Sequence, residues 1–446
     1  MTESASTSAV TRWLERASPV VFSIWAISAA FTTYFCMYSF RKPFGAATFE
    51  EAGIVSVFGL AMNYKILLII SQVIGYCLSK FIGIKVISEM HERWRAVAIV
   101  GVLAFAELSL VLFAVMPRPW NAMAMFLNGL PLGMVWGLVF GFLEGRKLSE
   151  LLGAGLSASY IVASGAVKTV GVWIMDAGVS EYWMPAAVGA MFFPLMLLTV
   201  WMLSKLPPPN AEDIAARTKR APMNSKARVA FLRTFAPGLI PLTLLYVLLT
   251  AYRDFRDNFA REIWSALGYA EAPEIMTTSE IPIAVAVLGT LALFMVIKSN
   301  RHALLIIHIV MISGTALIGL STMAYQAGIL PPAAWMIAVG LGMYVAYVPY
   351  GCVLFDRLIA AVGFVATAGF MIYVTDASGY MGSVVLLLYK NFGQADLSWL
   401  DFFLSFSYAT SIVCTLCFAA SLVYFAKITK GIEELKSHAQ QATSGG

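Results

Sequence analysis

The sequence has few charged residues and few residues that could form a metal or catalytic site. Only 12% of its 446 residues are charged, and it has four histidines and five cysteines; soluble domains are about 25% charged. Neither G-x-x-x-x-G-K-[ST] nor H-E-x-x-H occurs, which argues against ATP drive by this chain and against a zinc hydrolase. No Ser-His-Asp set can be assembled. The sequence therefore predicts no enzyme, no cofactor and no metal.

Hydrophobic residues make up 60% of the chain, which excludes a soluble multidomain enzyme and a disordered chain. The first apolar stretch lacks an A-x-A cleavage site and is predicted to be an uncleaved helix. The predicted membrane helices, each long enough to cross a bilayer, lie at about residues 19–42, 63–88, 96–117, 121–143, 153–175, 185–204, 234–258, 281–298, 303–323, 333–354, 361–389 and 400–426.

Polar segments divide these stretches into two sets of six, and basic residues set their orientation. Most of the 30 lysines and arginines lie in the termini and in the loops on the same side, while the opposite loops hold only Lys65, Arg118, Arg261 and Lys390. This asymmetry predicts a multi-pass inner (plasma) membrane protein with both termini cytoplasmic. The predicted parts are an N-terminal segment (1–18), a six-helix bundle (19–204), a cytoplasmic linker (205–233), a second six-helix bundle (234–426) and a tail (427–446).

The two halves repeat a pattern at an offset of about 210 residues. Tyr34, Tyr38 and Arg41 have the same spacing as Tyr246, Thr250 and Arg253. Leu-Gly-Met segments in the fourth and tenth stretches repeat as well. A duplicated six-helix unit with parallel halves is the plan of the major facilitator superfamily, in which the substrate site lies near the bilayer midplane at the repeat interface. The predicted fold class is therefore an all-α membrane protein with 12 transmembrane helices in two pseudo-symmetric bundles.

Polar residues form stripes that each end in one cation. Their i, i+4 spacing places each stripe on one face of a helix. Several cations in one cavity would repel one another unless an anion joined them, and a guanidinium suits a phosphate or carboxylate. The predicted partner is a small anionic substrate, with tyrosine hydroxyls on its polyol part. The candidate substrate-binding residues are Arg41, Lys80, Arg253, Lys168, Tyr34, Tyr38, Tyr76, Tyr160, Ser164 and Tyr246.

Other interpretations of these cations remain open. Arg41 and Lys42 could cap the outer end of the first helix and extend to the interface, and Arg253 could do the same. Lys80 could form an ion pair with Asp376 that latches the two halves. Asp376 could instead contact substrate or bind a proton. Glu107, isolated in the third stretch, could be a buried neutral acid or a proton site.

Some of these residues also resemble a known family. Three segments carry the resemblance: Tyr38-Ser39-Phe40-Arg41-Lys42 with Tyr34 upstream, Ser79-Lys80-Phe81-Ile82 followed by Ser88-Glu89 and Arg93, and Arg253-Asp254-Phe255. They are similar to segments of the organophosphate:phosphate antiporters, the glycerol-phosphate and hexose-phosphate transporters of the major facilitator superfamily. The resemblance implies that one arginine from each half, Arg41 and Arg253, holds a phosphate, with Lys80 nearby. Ser164 stands near the family's helix 5 histidine, and the loop 83–95 lacks the family's Gly-Arg-Arg signature.

Three functions follow as expectations. The first is a secondary transporter that moves a phosphorylated or otherwise anionic metabolite by alternating access, in exchange for phosphate. The second is a proton-coupled symporter of an organic acid or sugar, with Asp376 or Glu107 protonated. The third is a transport-fold ligand sensor, which the short segment Lys205 to Arg228 disfavours. A monomer in the lipid bilayer is expected, with no nucleic acid partner.

Overall fold

The structure is a computed structural model that describes residues 8–144, 146, 149–209, 213, 225–363 and 368–444. Parts of the predicted N-terminal segment and linker (1–7, 210–212 and 214–224) and the last residues of the tail (445–446) lie outside the described residues. The helices are α1 (Ala9–Arg16), α2 (Pro19–Ser39), α3 (Tyr64–Glu89), α4 (Arg95–Val115), α5 (Ala122–Leu132), α6 (Val135–Phe140), α7 (Ser149–Asp176), α8 (Met184–Ser204), α9 (Ser225–Asn258), α10 (Ala260–Ala266), α11 (Ile275–Thr278), α12 (Glu280–Val296), α13 (Asn300–Gln326), α14 (Pro332–Pro349), α15 (Phe355–Val362), α16 (Ala368–Gly393) and α17 (Trp399–Ser444).

The chain is a multi-pass membrane protein with an all-α membrane fold, as predicted. Within the described residues, 11 helices are long and apolar enough to cross a membrane. The remaining predicted stretch, 361–389, overlaps α16, a helix of 26 residues. Helices satisfy their own backbone hydrogen bonds, so uninterrupted apolar runs of this length adopt them in a bilayer.

The first membrane helix shows how its local sequence sets its ends. Ser18 accepts a hydrogen bond from the backbone N–H of Val21 at 3.3 Å, and Pro19 occupies the first turn, where its missing N–H costs nothing. The helix ends at Ser39, and Pro43 follows shortly afterwards in a short 3-10 turn, Pro43–Ala46. Arg41 and Lys42 therefore lie in the turn just beyond α2.

The described chain separates into two compact units. Unit 1 comprises residues 1–218, 257–281 and 391–393, and unit 2 comprises residues 219–256, 282–390 and 394–446. The short elements α10 and α11 thus group with the first helices, although they follow α9 in the sequence. The predicted bundle boundaries, 19–204 and 234–426, stay a prediction.

Glycines bring helices together at close crossings in both units. In unit 1, a Cβ on Gly75 of α3 would lie 2.2 Å from the carbonyl oxygen of Phe126, and one on Gly129 of α5 would lie 2.1 Å from that of Gln72. In unit 2, Gly314 of α13 and Gly342 of α14 approach each other's backbone in the same way. Small residues permit such approach, which supplies much of the packing energy between helices in lipid.

A β-hairpin interrupts the connection between α2 and α3. Strands β1 (Ile54–Val57) and β2 (Leu60–Asn63) pair antiparallel around a two-residue turn, in which Phe58 and Gly59 both have positive φ. This is the geometry of the turns that favour tight hairpins. The side chain of Asn391 accepts from the backbone N–H of Asn63 at 2.8 Å, which joins residues 391–393 to unit 1.

Two regions are more helical than expected. The last helix, α17, continues to Ser444, through the predicted polar tail. Helix α9 begins at Ser225, inside the predicted linker. Both extensions are polar, so hydropathy alone does not mark them.

Candidate functional site

Unit 1 holds two cations against one tyrosine ring. The guanidinium carbon of Arg41 lies 3.8 Å from the centroid of the Tyr76 ring, and the ammonium of Lys80 lies 5.3 Å from it. Tyr76 and Lys80 are four residues apart on α3, which places them on one face. Arg41 is only 4% exposed. The side chain is therefore packed against the ring within unit 1, and its role in binding a substrate stays a prediction.

Two buried amides hold the backbone of the turn that carries Arg41. Gln72 donates to the carbonyl of Arg41 at 2.9 Å and to the side-chain oxygen of Asn128 at 2.8 Å. Asn128 donates to the carbonyls of Phe40 at 2.9 Å and Ala106 at 3.0 Å. Each amide uses both of its N–H groups. The carbonyl oxygens of Phe40 and Arg41, at the end of α2, thus accept hydrogen bonds from side chains in an apolar surrounding. These bonds fix the position of Arg41.

The predicted tyrosines of unit 1 differ in their placement. Tyr34 and Tyr38 are both buried, and their rings meet edge to face with centroids 5.8 Å apart. Tyr160 is half-buried on α7.

Three buried lysines of unit 1 bind two carboxylates from residues 257–262. The carboxylate of Asp257 lies 2.5 Å from the ammonium of Lys42 and 2.5 Å from that of Lys168. Ser164 donates to the same carboxylate. Lys168 was predicted to contact substrate. Here its side chain is 1% exposed and bound to Asp257, so the substrate contact stays a prediction.

Lys65 binds the carboxylate of Glu262 and donates to the carbonyl of Gly45 at 3.0 Å. The sequence placed Lys65 in an outer loop, but it lies in the first turn of α3 and is 2% exposed. Burial raises the pKa of Glu262 above its ordinary value, and the charge of Lys65 opposes that shift. Together with the bond from Thr169 to the carbonyl of Pro273, at 3.0 Å, these ion pairs fix residues 257–281 in unit 1.

Unit 2 also holds a guanidinium over a tyrosine ring. The guanidinium carbon of Arg253 lies 4.5 Å from the centroid of the Tyr347 ring. Its Nη2 and Nε donate to one oxygen of Asp254 at 2.8 and 3.3 Å, and Ser383 donates to the other oxygen at 2.7 Å. Asp254 therefore neutralises and orients Arg253 from the side, while the tyrosine supports it from the face.

A chain of hydroxyls leads from Tyr347 to the predicted coupling residue Asp376. The hydroxyl of Tyr246 lies 2.9 Å from that of Tyr347 and donates to Asp376 at 2.9 Å. The Tyr246 and Tyr347 rings also stack, with centroids 5.1 Å apart. Because one hydroxyl has a single proton, Tyr246 donates to the carboxylate and accepts from Tyr347. Asp376 thus accepts a hydrogen bond within unit 2.

Glu107 lies against a glycine of another helix of unit 1. A Cβ built on Gly189 of α8 would lie 2.0 Å from Oε2 of Glu107 and 3.1 Å from the ring of Phe40. Oε2 is buried and has no hydrogen-bond partner among the described residues. The carboxyl group occupies the space that a side chain at position 189 would take.

Sequence reasoning selected the cations but missed several of their partners. Asn128 stands in an apolar stretch as an isolated amide, which could have marked it as structural. Nothing in the apolar sequence around Tyr347 distinguishes it from other tyrosines, and Gly189 is one of 34 glycines. The roles of the predicted residues in binding a substrate stay predictions.

Comparison with known proteins identifies the family. Residues 43–428 match the model of a family of unknown function, DUF5690, and the chain belongs to that family. No curated protein matches the chain.

Comparison with solved structures supports the fold. The chain is similar to the crystal structure of a D-xylose-proton symporter, with a TM-score of 0.57 and 15% sequence identity over 92% of this chain and 99% of the other. This confirms the predicted major facilitator type of all-α membrane fold. It does not extend to the resemblance with organophosphate antiporters, which rests on the short segments around Arg41, Lys80 and Arg253.

Proposed function

We propose that this member of the DUF5690 family is a secondary active transporter that moves a small anionic metabolite across the inner membrane by alternating access. A phosphorylated compound, exchanged for phosphate, is the first candidate. We propose that the chain works as a monomer with both termini in the cytoplasm. The observation that supports this function most is the pair of cations, Arg41 and Lys80, held against the ring of Tyr76 in a buried part of unit 1.

The geometry at Arg41 suits recognition of an oxyanion. The guanidinium carbon of Arg41 lies 3.8 Å from the Tyr76 ring centroid, and a guanidinium carries its N–H donors in one plane as a fixed fork. Those groups match two oxygens of a phosphate or carboxylate. Lys80, on the same ring, adds a second positive charge for the same anion. Gln72 and Asn128 hold the backbone, so less ordering is needed when the anion binds.

Arg253 is the proposed second arginine. Its guanidinium is neutralised by Asp254, so an anion that reaches it must share it with that carboxylate. The affinity of Arg253 for an anion would then depend on the position of Asp254, which is fixed by the hydrogen bond from Ser383. The hydroxyl-bearing residues Tyr34, Tyr38, Tyr160 and Tyr246, together with Ser164, are proposed to contact the polar remainder of the substrate.

The test uses the purified protein in proteoliposomes loaded with phosphate, and follows the entry of labelled phosphate. The test variant is Arg41→Lys with Arg253→Lys, which keeps both charges but removes the planar forks. The matched control is Arg301→Lys, whose arginine pairs with Glu433 in unit 2. Saturable exchange that is lost in the test variant and kept in the control supports the proposal. Absence of exchange in folded wild-type protein refutes phosphate antiport.

A second candidate is a proton-coupled symporter of an organic acid or sugar. It is favoured by the fold shared with the D-xylose-proton symporter and by the hydrogen-bonded carboxyl of Asp376. In the same proteoliposomes, an imposed proton gradient would then drive uptake of a labelled organic acid or sugar without phosphate inside. Asp376→Asn should remove that uptake, whereas phosphate exchange requires no gradient.

A further inference from the structure

Glu107 is a carboxyl group in the middle of a membrane helix, and no ion pair described above uses it. It lies about 18 Å along the axis from Arg95 at the start of α4, given a rise of about 1.5 Å per residue. Its Oε2 is buried against Gly189 and has no hydrogen-bond partner within the described part of the chain. The ring of Phe40 lies against the same glycine.

Among the described residues, the three helices packed along α4 carry no charged side chain. The charged 3-10 turn Glu92–Trp94 also contacts α4, and it directly precedes the first residue of that helix, Arg95. The facing helices α5, α6 and α8 contain no Asp, Glu, Lys, Arg or His. Among the titratable groups near the end of α2 are Tyr34, Cys36 and Tyr38, and Arg41 follows Phe40 directly. An ionised carboxylate in such a site would lose its hydration without gaining a counter-charge, which is costly in a membrane interior. A neutral carboxylic acid avoids that cost.

We propose that Glu107 is a proton-binding site, occupied by a proton in this structure, and that it is coupled to the anion site at Arg41. Two contacts connect the sites. Phe40, which packs beside Glu107 on Gly189, immediately precedes Arg41. Asn128 donates both to the carbonyl of Phe40 and to that of Ala106, the neighbour of Glu107 on α4.

Loss of the proton would act on Arg41 through these contacts. The O–H bond of the carboxyl breaks, the proton passes to water, and the bonding electrons stay on the carboxylate. The new charge requires hydration, which the space against Gly189 and Phe40 does not offer, so the side chain must leave it. Phe40 then repacks, and the turn that Asn128 and Gln72 hold shifts with it. The proton would then be a coupling ion of the transport cycle. The proposed coupling between Glu107 and Arg41 therefore rests on the proposed function.

The protonation state is measured first, independently of transport. Infrared difference spectra of the full chain in nanodiscs at neutral pH are compared between wild type and Glu107→Gln. Exposed carboxyls are ionised at that pH, so a protonated-carboxyl C=O band that disappears in Glu107→Gln establishes the site. Absence of such a band in the difference spectrum overturns the proposal, because Glu107 is then ionised.

Two glycine variants test whether the carboxyl of Glu107 lies against Gly189. Gly189→Ala places a methyl group where Oε2 lies and should shift or abolish the band. Gly101→Ala, on α4 itself, meets nothing within 4 Å and should leave the band unchanged. Equal spectra for the two alanine variants would contradict the proposed location.

Coupling is then measured as binding of inorganic phosphate against pH in wild type and Glu107→Gln. The protonation of phosphate itself changes with pH identically in both samples. A difference between the two proteins in how phosphate affinity changes with pH is therefore caused by Glu107. A slope reduced in the variant supports the coupling, and identical slopes overturn it. If neither protein binds phosphate, the proposed anion specificity fails and the coupling proposal fails with it, while the infrared result still decides the proton site.

Discussion

Asp257 joins segment 257–281 to two buried lysines of unit 1. Its carboxylate lies 2.5 Å from each of two ammonium groups, those of Lys42 and Lys168, and both lysine side chains are at most 6% exposed. Asp257→Asn preserves the shape of the side chain but removes the charge. Two buried ammonium groups then remain without their carboxylate.

The expected cost is large. Removing one partner of a buried ion pair typically destabilises a protein by about 3–5 kcal/mol, because the remaining charge stays desolvated. The matched control is Glu433→Gln in the exposed pair with Arg301, whose glutamate side chain is 54% exposed. Exposed pairs contribute about 0–1 kcal/mol. Unfolding of both variants in mixed micelles, followed by circular dichroism, measures the difference.

A compensating variant separates charge from shape. Asp257→Asn combined with Lys42→Met and Lys168→Met removes both ammonium groups that lie against residue 257 and leaves Lys65 with its own partner Glu262, so it should recover most of the lost free energy of unfolding. The reasoning is refuted if Asp257→Asn costs no more than Glu433→Gln, or if the triple variant is less stable than the single one.

Three further outcomes are expected from the same fold. Tyr246→Phe removes the hydroxyl between Tyr347 and Asp376, and both buried groups then lose a hydrogen bond. The free energy of unfolding should fall by about 1–3 kcal/mol in the same micelle assay. An unchanged stability would contradict this chain of hydrogen bonds. Gly129→Ala places a Cβ 2.1 Å from a backbone oxygen and should cost roughly 1–3 kcal/mol or more in thermal unfolding, while Gly101→Ala is neutral. Burial raises the pKa of Glu262 above that of an exposed glutamate, although the charge of Lys65 opposes the shift. The resulting contribution to the free energy of unfolding is complete below the pKa of an exposed glutamate and is lost as pH rises through the raised value, above which the carboxylate pairs with Lys65. A pH series of unfolding should show this decline, and Glu262→Gln should flatten it.

The sequence predicted the parts of the fold that depend on local hydropathy. The stretch 19–42 corresponds to α2, Pro19–Ser39, and 185–204 corresponds to α8, Met184–Ser204, because an apolar run in lipid has helix as its stable form. The hairpin formed by β1 and β2 was not predicted. Its strands are four residues each, and only the Phe58-Gly59 turn marks it.

The candidate site was predicted less completely, for a physical reason. Residues that share a helical face, such as Tyr76 and Lys80, can be inferred from spacing. Contacts between distant segments cannot. The pairing of Lys42 and Lys168 with Asp257 joins positions far apart in the chain, and Arg41 depends on Gln72 and Asn128 from two other helices.

The grouping of residues 257–281 with unit 1 has a consequence for synthesis of the chain. The ribosome makes Lys42, which follows α2, as well as Lys65 of α3 and Lys168 of α7, before it makes Asp257 and Glu262. Unit 1 therefore cannot reach its final ion pairing while only the first 218 residues exist. Residues 257–281 begin at the end of the seventh membrane helix, and residues 391–393 of unit 1 are made later still, so the two halves cannot mature strictly one after the other. A fragment cut in the central linker would contain the three lysines without their acids.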